Sequence, residues 1–222
     1  MIYKMSSTNH SPSPGTKPLG KRARQRIERP REILAAALDE FMLKGFWAAR
    51  VEDIAAKVGV TKGTVYFYFE TKEKLFAETI RSFSPNLTEM SDRVDATLPI
   101  RAQFENYLGR LLAAVALDPR TRQVFHLLIS EGRHFPDLID RYFAEFLAPA
   151  LDRLSVLIKT GIDRGEFRSN AIVAYPEILI GPAIVANLWS VVFADRRPCD
   201  IDAILSTSLD LFFTGLVEQP SR

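Results

Sequence analysis

The stretch from Val51 to Phe69 constrains this chain more than any other. VEDIAAKV places Val51, Ile54, Ala55 and Val58 on one face of a helix, and Gly59 ends that helix after about two turns. Thr61 is a helix cap, and a second short helix, KGTVYFYF, follows it. Two helices this short, joined by Gly59-Val60-Thr61, are too small to stand alone as a bundle hairpin. They match a helix-turn-helix, in which the turn commonly contains glycine and the second helix enters the major groove of DNA. The small side chain of Ala55 allows the two helices to cross closely.

The flanking sequence is helical as well. Ile33, Leu34, Ala37, Leu38 and Phe41 form one apolar stripe, which predicts a helix opening at Pro30 and closing at Lys44-Gly45. Thr71 caps a further helix from Lys72. Helical periodicity continues through about 72–97 with a break expected near Pro85, then 100–117, 119–133, 136–164, 171–194 and 200–217, with Pro99, Pro119, Pro136 and Pro198 at the other breaks. No stretch alternates with period two between turn signals, so the expected fold is all-α. Three parts are expected: a disordered basic tail over 1–28, a three-helix helix-turn-helix domain over 29–75 with its motif at 51–70, and a larger helical domain over 76–222.

Charge is divided unevenly. Residues 1–31 hold eight basic side chains against Glu28, a net +7; since the whole chain carries +2, the remainder carries −5. A basic front and an acidic body suggest that one end meets a polyanion; a solvated tail that binds nothing is the alternative. The single cysteine, Cys199, excludes an internal disulfide and any multi-cysteine metal site. His10, His126 and His134 do not fall at metal-ligand spacing, and no HExxH, GxSxG or Walker lysine loop occurs. No metal, no cofactor and no enzymatic activity are expected. The amino terminus lacks an apolar run of signal-peptide length, so a cytoplasmic protein is expected.

At 100° per residue, Val65 and Phe69 share the inward face of the second motif helix, and Thr64, Tyr66, Phe67 and Tyr68 spread over the outward arc. Exposed aromatics need a cover, and a DNA groove supplies one: a phenol bonds phosphate, and a ring or a Thr methyl packs on thymine. Lys62 reaches base edges or backbone, Gly63 clears a close approach to phosphate, and Lys72 opens a helix whose free amides favour an anion.

VEDIAAKVGVTKGTVYFYFETKEKLF (51–76), led by PREILAAALDEFMLKGF (30–46), resembles the amino-terminal domain of the TetR/AcrR family of bacterial transcriptional regulators. The match covers about 60 residues, including Ile54-Ala55, Gly59, Gly63-Thr64-Val65-Tyr66, Phe69, Lys72 and Leu75-Phe76. The resemblance implies a homodimer that binds a palindromic operator in double-stranded DNA, usually as a repressor, and releases it when a small molecule enters the helical domain. By position it implies that Lys62, Thr64, Tyr66, Phe67 and Tyr68 are the recognition-helix contacts and Lys72 the phosphate contact, and it assigns effector binding and dimerisation to the helical domain over 76–222; Thr61 and Gly63 complete the candidate DNA-binding set. Members often carry Thr where this chain has Arg50, and arginine cannot accept a capping hydrogen bond. Arg50 is either a phosphate contact or a solvated surface charge.

The seventeen uncharged residues 178–194 contain Gly181, Pro182 and Asn187, and a helix at a subunit interface explains them better than a membrane span. With the apolar 201–216 stretch they form the last two long helices, through which family members pair. Candidate effector contacts are Phe104, Tyr107, Phe125, His126, Tyr142, Phe146, Asn187 and Trp189, with Glu131 and His134 as further polar anchors; such a lining favours an apolar or amphipathic small molecule. The rival expectation is a helical ligand- or partner-binding protein of the same fold without operator recognition. The intact Lys62, Thr64, Tyr66 and Lys72 argue against it.

Overall fold

The computed structural model describes residues 21–85, 97–168, 175–193 and 196–216. Among them there are helices and turns and no strand. The first four helices are α1 (Lys21–Ala48), α2 (Val51–Val58), α3 (Lys62–Phe69) and α4 (Lys72–Phe83). The body follows with α5 (Ile100–Ala116), α6 (Pro119–Glu131), α7 (Pro136–Tyr142), α8 (Ala148–Asp163), α9 (Gly181–Phe193) and α10 (Ile201–Leu216). These bounds lie close to the proline-punctuated segments expected from the sequence.

The start of α1 differs from expectation. Its backbone is helical from Lys21, so Pro30 lies inside the helix rather than at its first turn, and α1 begins within the stretch expected as a tail. KRARQRIE is composed largely of strong helix formers, which offsets the amide that Pro30 cannot donate. The rest of the expected tail, 1–20, lies outside the described residues, as does 86–96 between α4 and α5. Gly45 breaks α1 as expected, at φ 71° and ψ 170°, and one further turn carries Phe46 and Trp47.

Two apolar clusters organise the molecule. The head cluster gathers Ile33, Ala37, Leu38 and Phe41 of α1 with Ile54 and Ala55 of α2, Val65 and Phe69 of α3, and Leu75, Phe76 and Ile80 of α4. It does not stop at residue 75: Val124 and Leu127 of α6 and Leu138 of α7 are buried in it, so head and body share one continuous core. The body cluster joins Phe104, Tyr107, Leu108 and Leu111 of α5 to Leu154, Leu157 and Ile158 of α8, Ala183 and Ala186 of α9, and Leu205 and Phe213 of α10.

Two expected long helices are interrupted. A π turn at Phe143–Leu147 separates α7 from α8. A 3-10 turn at Pro176–Ile180 precedes α9, whose second residue is Pro182; a missing amide costs least in the first turn of a helix.

Candidate nucleic-acid interface

The head presents α3 as the sequence predicts. Thr61 caps it, its Oγ1 accepting the Thr64 amide at 3.2 Å and lying 3.0 Å from the Thr64 hydroxyl. Gly59 ends α2 in the left-handed region (φ 71°), which turns the chain between the two helices. Val65 and Phe69 are buried. On the opposite face Phe67 is 80% exposed, beside the exposed Gly63. A Cβ at Gly63 would meet only Thr61 Oγ1, at 3.7 Å, so nothing within the protein requires glycine there.

The outward arc is narrower than the sequence suggests. Tyr66 and Tyr68 are half-buried and pack against the head core. Tyr68 also lines a cleft of about 610 Å³ between α3, α4 and α7, with Glu73, Phe135 and Asp137 among the other walls. Thr64, Tyr66 and Phe67 therefore remain with Lys62 at the tip, while Tyr68 turns toward the body.

Electrostatics at the tip are paired. Lys62 Nζ lies 2.7 Å from Glu52 Oε1 of α2 and 5.6 Å from the centre of the Tyr66 ring. Glu52, which the sequence reading passed over, holds the Lys62 ammonium above its ordinary pKa. Any phosphate or base bound by Lys62 shares that ammonium with Glu52 or displaces it. Arg50 is exposed and makes no side-chain cap on α2. Glu52 and Asp53 in the first turn supply the negative charge that the free amides favour instead. Behind α2, the carboxylate of Glu40 is 1% exposed and paired with Lys44 at 2.6 Å and Lys57 at 2.7 Å; Lys44 also bonds Asp53 at 2.8 Å. This network ties α1 to α2, and its lysines, Lys44 first, hold Glu40 below the usual carboxylate range.

Lys72 opens α4 behind the Thr71 cap, whose hydroxyl accepts the Lys74 amide at 3.1 Å. The lysine is half-buried: its Nζ lies 4.6 Å from the centre of the Phe46 ring and donates to the Trp47 carbonyl at 3.3 Å. Burial lowers its pKa, against the opposing charges of Glu73 and Glu131. Phe46 and Trp47 were not singled out by the sequence, because an apolar pair after a helix break looks like ordinary core.

The expected effector residues do not line one space. Phe104 and Tyr107 are fully buried in the body core, Phe104 against Phe167 and Phe213. Phe125 and His126 are half-buried on α6. Tyr142 at the end of α7 and Phe146 on the π turn pack at a tilt with ring centres 5.2 Å apart and line a small crevice against Ala77, Ile80 and Arg81 of α4; burial pushes the Tyr142 hydroxyl up to about 12. Asn187 is fully buried, donating to the carbonyls of Val115 and Ala183. Trp189 lies instead at the outer face of α9, tilted against Phe193, its indole donating to the Arg197 carbonyl at 2.7 Å. Glu131 and His134, expected as anchors in the body, face the head: Glu131 accepts the Phe46 amide, and His134 sits against Trp47.

A capped, short, surface-borne helix with a lysine, a threonine and aromatics at its tip defines a helix-turn-helix transcriptional regulator of the all-α class. The tetR family of bacterial regulatory proteins matches residues 33–79, and the tetracyclin repressor-like C-terminal domain matches 97–203. This chain belongs to the TetR family. It is 28% identical to the transcriptional regulator RutR of Escherichia coli K12 over 216 residues, 93% of each chain. It is 36% identical to the regulator YdgC of Bacillus subtilis over 89 residues, 40% of this chain and 45% of that one. Among solved structures, the fatty acid degradation regulator FadR from Bacillus halodurans superposes with a TM-score of 0.64 at 21% identity, covering 84% of this chain and 95% of that one.

Proposed function

We propose that this TetR-family regulator is a cytoplasmic, homodimeric repressor that binds a palindromic operator through α3 and is released by an apolar or amphipathic small molecule. The observation that carries the reading is α3 itself: Phe67 stands exposed opposite the buried Val65 and Phe69, flanked by Lys62, Thr64 and Tyr66, a surface that the major groove would cover.

Pairing is supported by α9. Ala183, Ala186 and Asn187 bury one side of this helix, whereas Ile184, Val185, Leu188, Val191 and Val192 leave an exposed apolar stripe at helical spacing. Pro176–Phe193 is apolar enough for a membrane span, but Gly181-Pro182 divides it and a second copy of α9 would cover its stripe. The effector reading is supported by two buried polar atoms without a protein partner among the described residues, the Tyr107 hydroxyl and Asn187 Oδ1. An unbonded buried polar atom costs about 1–3 kcal/mol, which a ligand hydrogen bond would recover.

Fluorescence anisotropy with an operator duplex and a scrambled duplex, titrated at two salt concentrations, tests the proposal. Tight operator binding that falls steeply with salt, and that the double substitution Lys62→Ala/Tyr66→Ala removes, is expected. Equal affinity for both duplexes would sink it.

A further inference from the structure

Glu131 is the last residue of α6, in the body, yet its carboxylate is spent on the head. Oε1 accepts the Phe46 amide at 3.1 Å, at the point where Gly45 interrupts the hydrogen-bond ladder of α1. Gly45 is required there twice over. Its φ of 71° disfavours any side chain, and a Cβ would stand 2.9 Å from that same Glu131 oxygen. Phe46 packs against Phe41, which stacks on it, and against Phe76 and Phe135, which meet it edge-on, with ring centres 4.6–6.0 Å away. The Lys72 ammonium rests over this ring and donates to the next residue's carbonyl. The body carboxylate, the break in α1 and the lysine that opens α4 thus meet around one phenylalanine.

We propose that Glu131 is a positioning residue: through the Phe46 amide it fixes the platform on which Lys72 stands, so that a shift of α6 in the body is passed to a lysine at the DNA-facing surface. The assignment rests on the regulator reading above. A carboxylate that withdraws leaves the Phe46 amide without an acceptor and the ring free to move. Lys72 then loses both its stacking partner and the adjacent carbonyl as fixed references. A rigid contact of this kind transmits displacement only because its two ends lie in one packed core.

The test compares Glu131→Met, which keeps the stem and has no acceptor oxygen, with Glu131→Gln, which still accepts the amide. Both are made in the full chain, alone and with Lys72→Ala. Operator affinity is measured on a duplex selected by the wild-type protein, alongside thermal melts and hydrogen exchange at the Phe46 amide without DNA. Glu131→Met is expected to weaken operator binding about tenfold and Glu131→Gln by no more than about threefold. In the Lys72→Ala background Glu131→Met should cost less than about twofold, since the two act through one platform. Faster exchange at Phe46 should accompany Glu131→Met alone. An equal loss in both backgrounds would show a merely structural role and overturn the proposal, as would unchanged exchange at Phe46. If the wild-type protein selects no sequence, the regulator reading fails instead, and exchange at Phe46 still reports on the latch.

Discussion

Lys62, Lys72 and the lysines around Glu40 have distinct partners, and the partner sets the behaviour of each. Glu52 pairs with Lys62 at 2.7 Å at the tip of the head, so under the proposed function it competes with DNA for that ammonium. Glu52→Gln is therefore expected to tighten binding to unrelated duplex DNA and to increase the salt dependence by about one ion. Anisotropy on a scrambled duplex would show it, and unchanged affinity would mean that Glu52 does not restrain the lysine. Lys72 is depressed by burial, so it loses its charge on the alkaline side at a pH below the ordinary lysine value of 10.5. Operator affinity should fall as pH rises through that point, and Lys72→Arg, which stays charged, should flatten the profile. Glu40 works in the opposite sense. Its carboxylate is held low by Lys44 and Lys57, so its contribution to stability is present above pH 4.5 and lost as pH falls through its lower folded value. Glu40→Gln should cost about 1–3 kcal/mol at neutral pH. The gap in melting temperature from wild type should close in acid.

Among the elements, the short helices were the most legible in the sequence and the contacts between elements the least. Thr61, Thr71, Gly45 and Gly59 are local signals, and each does in the structure what its chemistry dictates along a few residues of chain. Pro30 was misread because proline marks a first turn in general, whereas here strong helix formers precede it. Glu131 was unreadable in its true role, since its partner lies 85 residues away and no periodicity points at it. Tyr68 shows the same limit: its angle on α3 is outward, but α7 approaches to make that face a cleft wall. Close packing within the body gives a prediction at this scale. A Cβ on Gly161 of α8 would fall 2.2 Å from the ring of Phe167, itself packed on Phe104. Gly161→Ala should therefore destabilise the chain by about 1–3 kcal/mol, seen as a lower melting temperature.

At the scale of the whole molecule, the fold joins a DNA-facing tip to a body through a shared core rather than through a linker. Val124, Leu127 and Leu138 of the body are buried with the head's own residues, and α4 passes from Lys72 at the DNA-facing end to the crevice of Tyr142 and Phe146. Under the proposed mechanism an effector acts only by its difference in affinity between the operator-bound and released arrangements. Two heads also need a fixed spacing, and the exposed stripe of α9 is where it would be set. Leu188→Asp/Val192→Asp should yield a monomer by light scattering, with operator affinity lowered far more than affinity for a half-site.

The central claim is that α3 reads a sequence. Selection from a random duplex pool tests it directly, with the wild-type protein and Lys62→Ala/Tyr66→Ala run in parallel and the bound fractions sequenced. The account predicts one enriched motif with two-fold symmetry from the wild type and none from the variant. No enrichment from either, or the same motif from both, would contradict it.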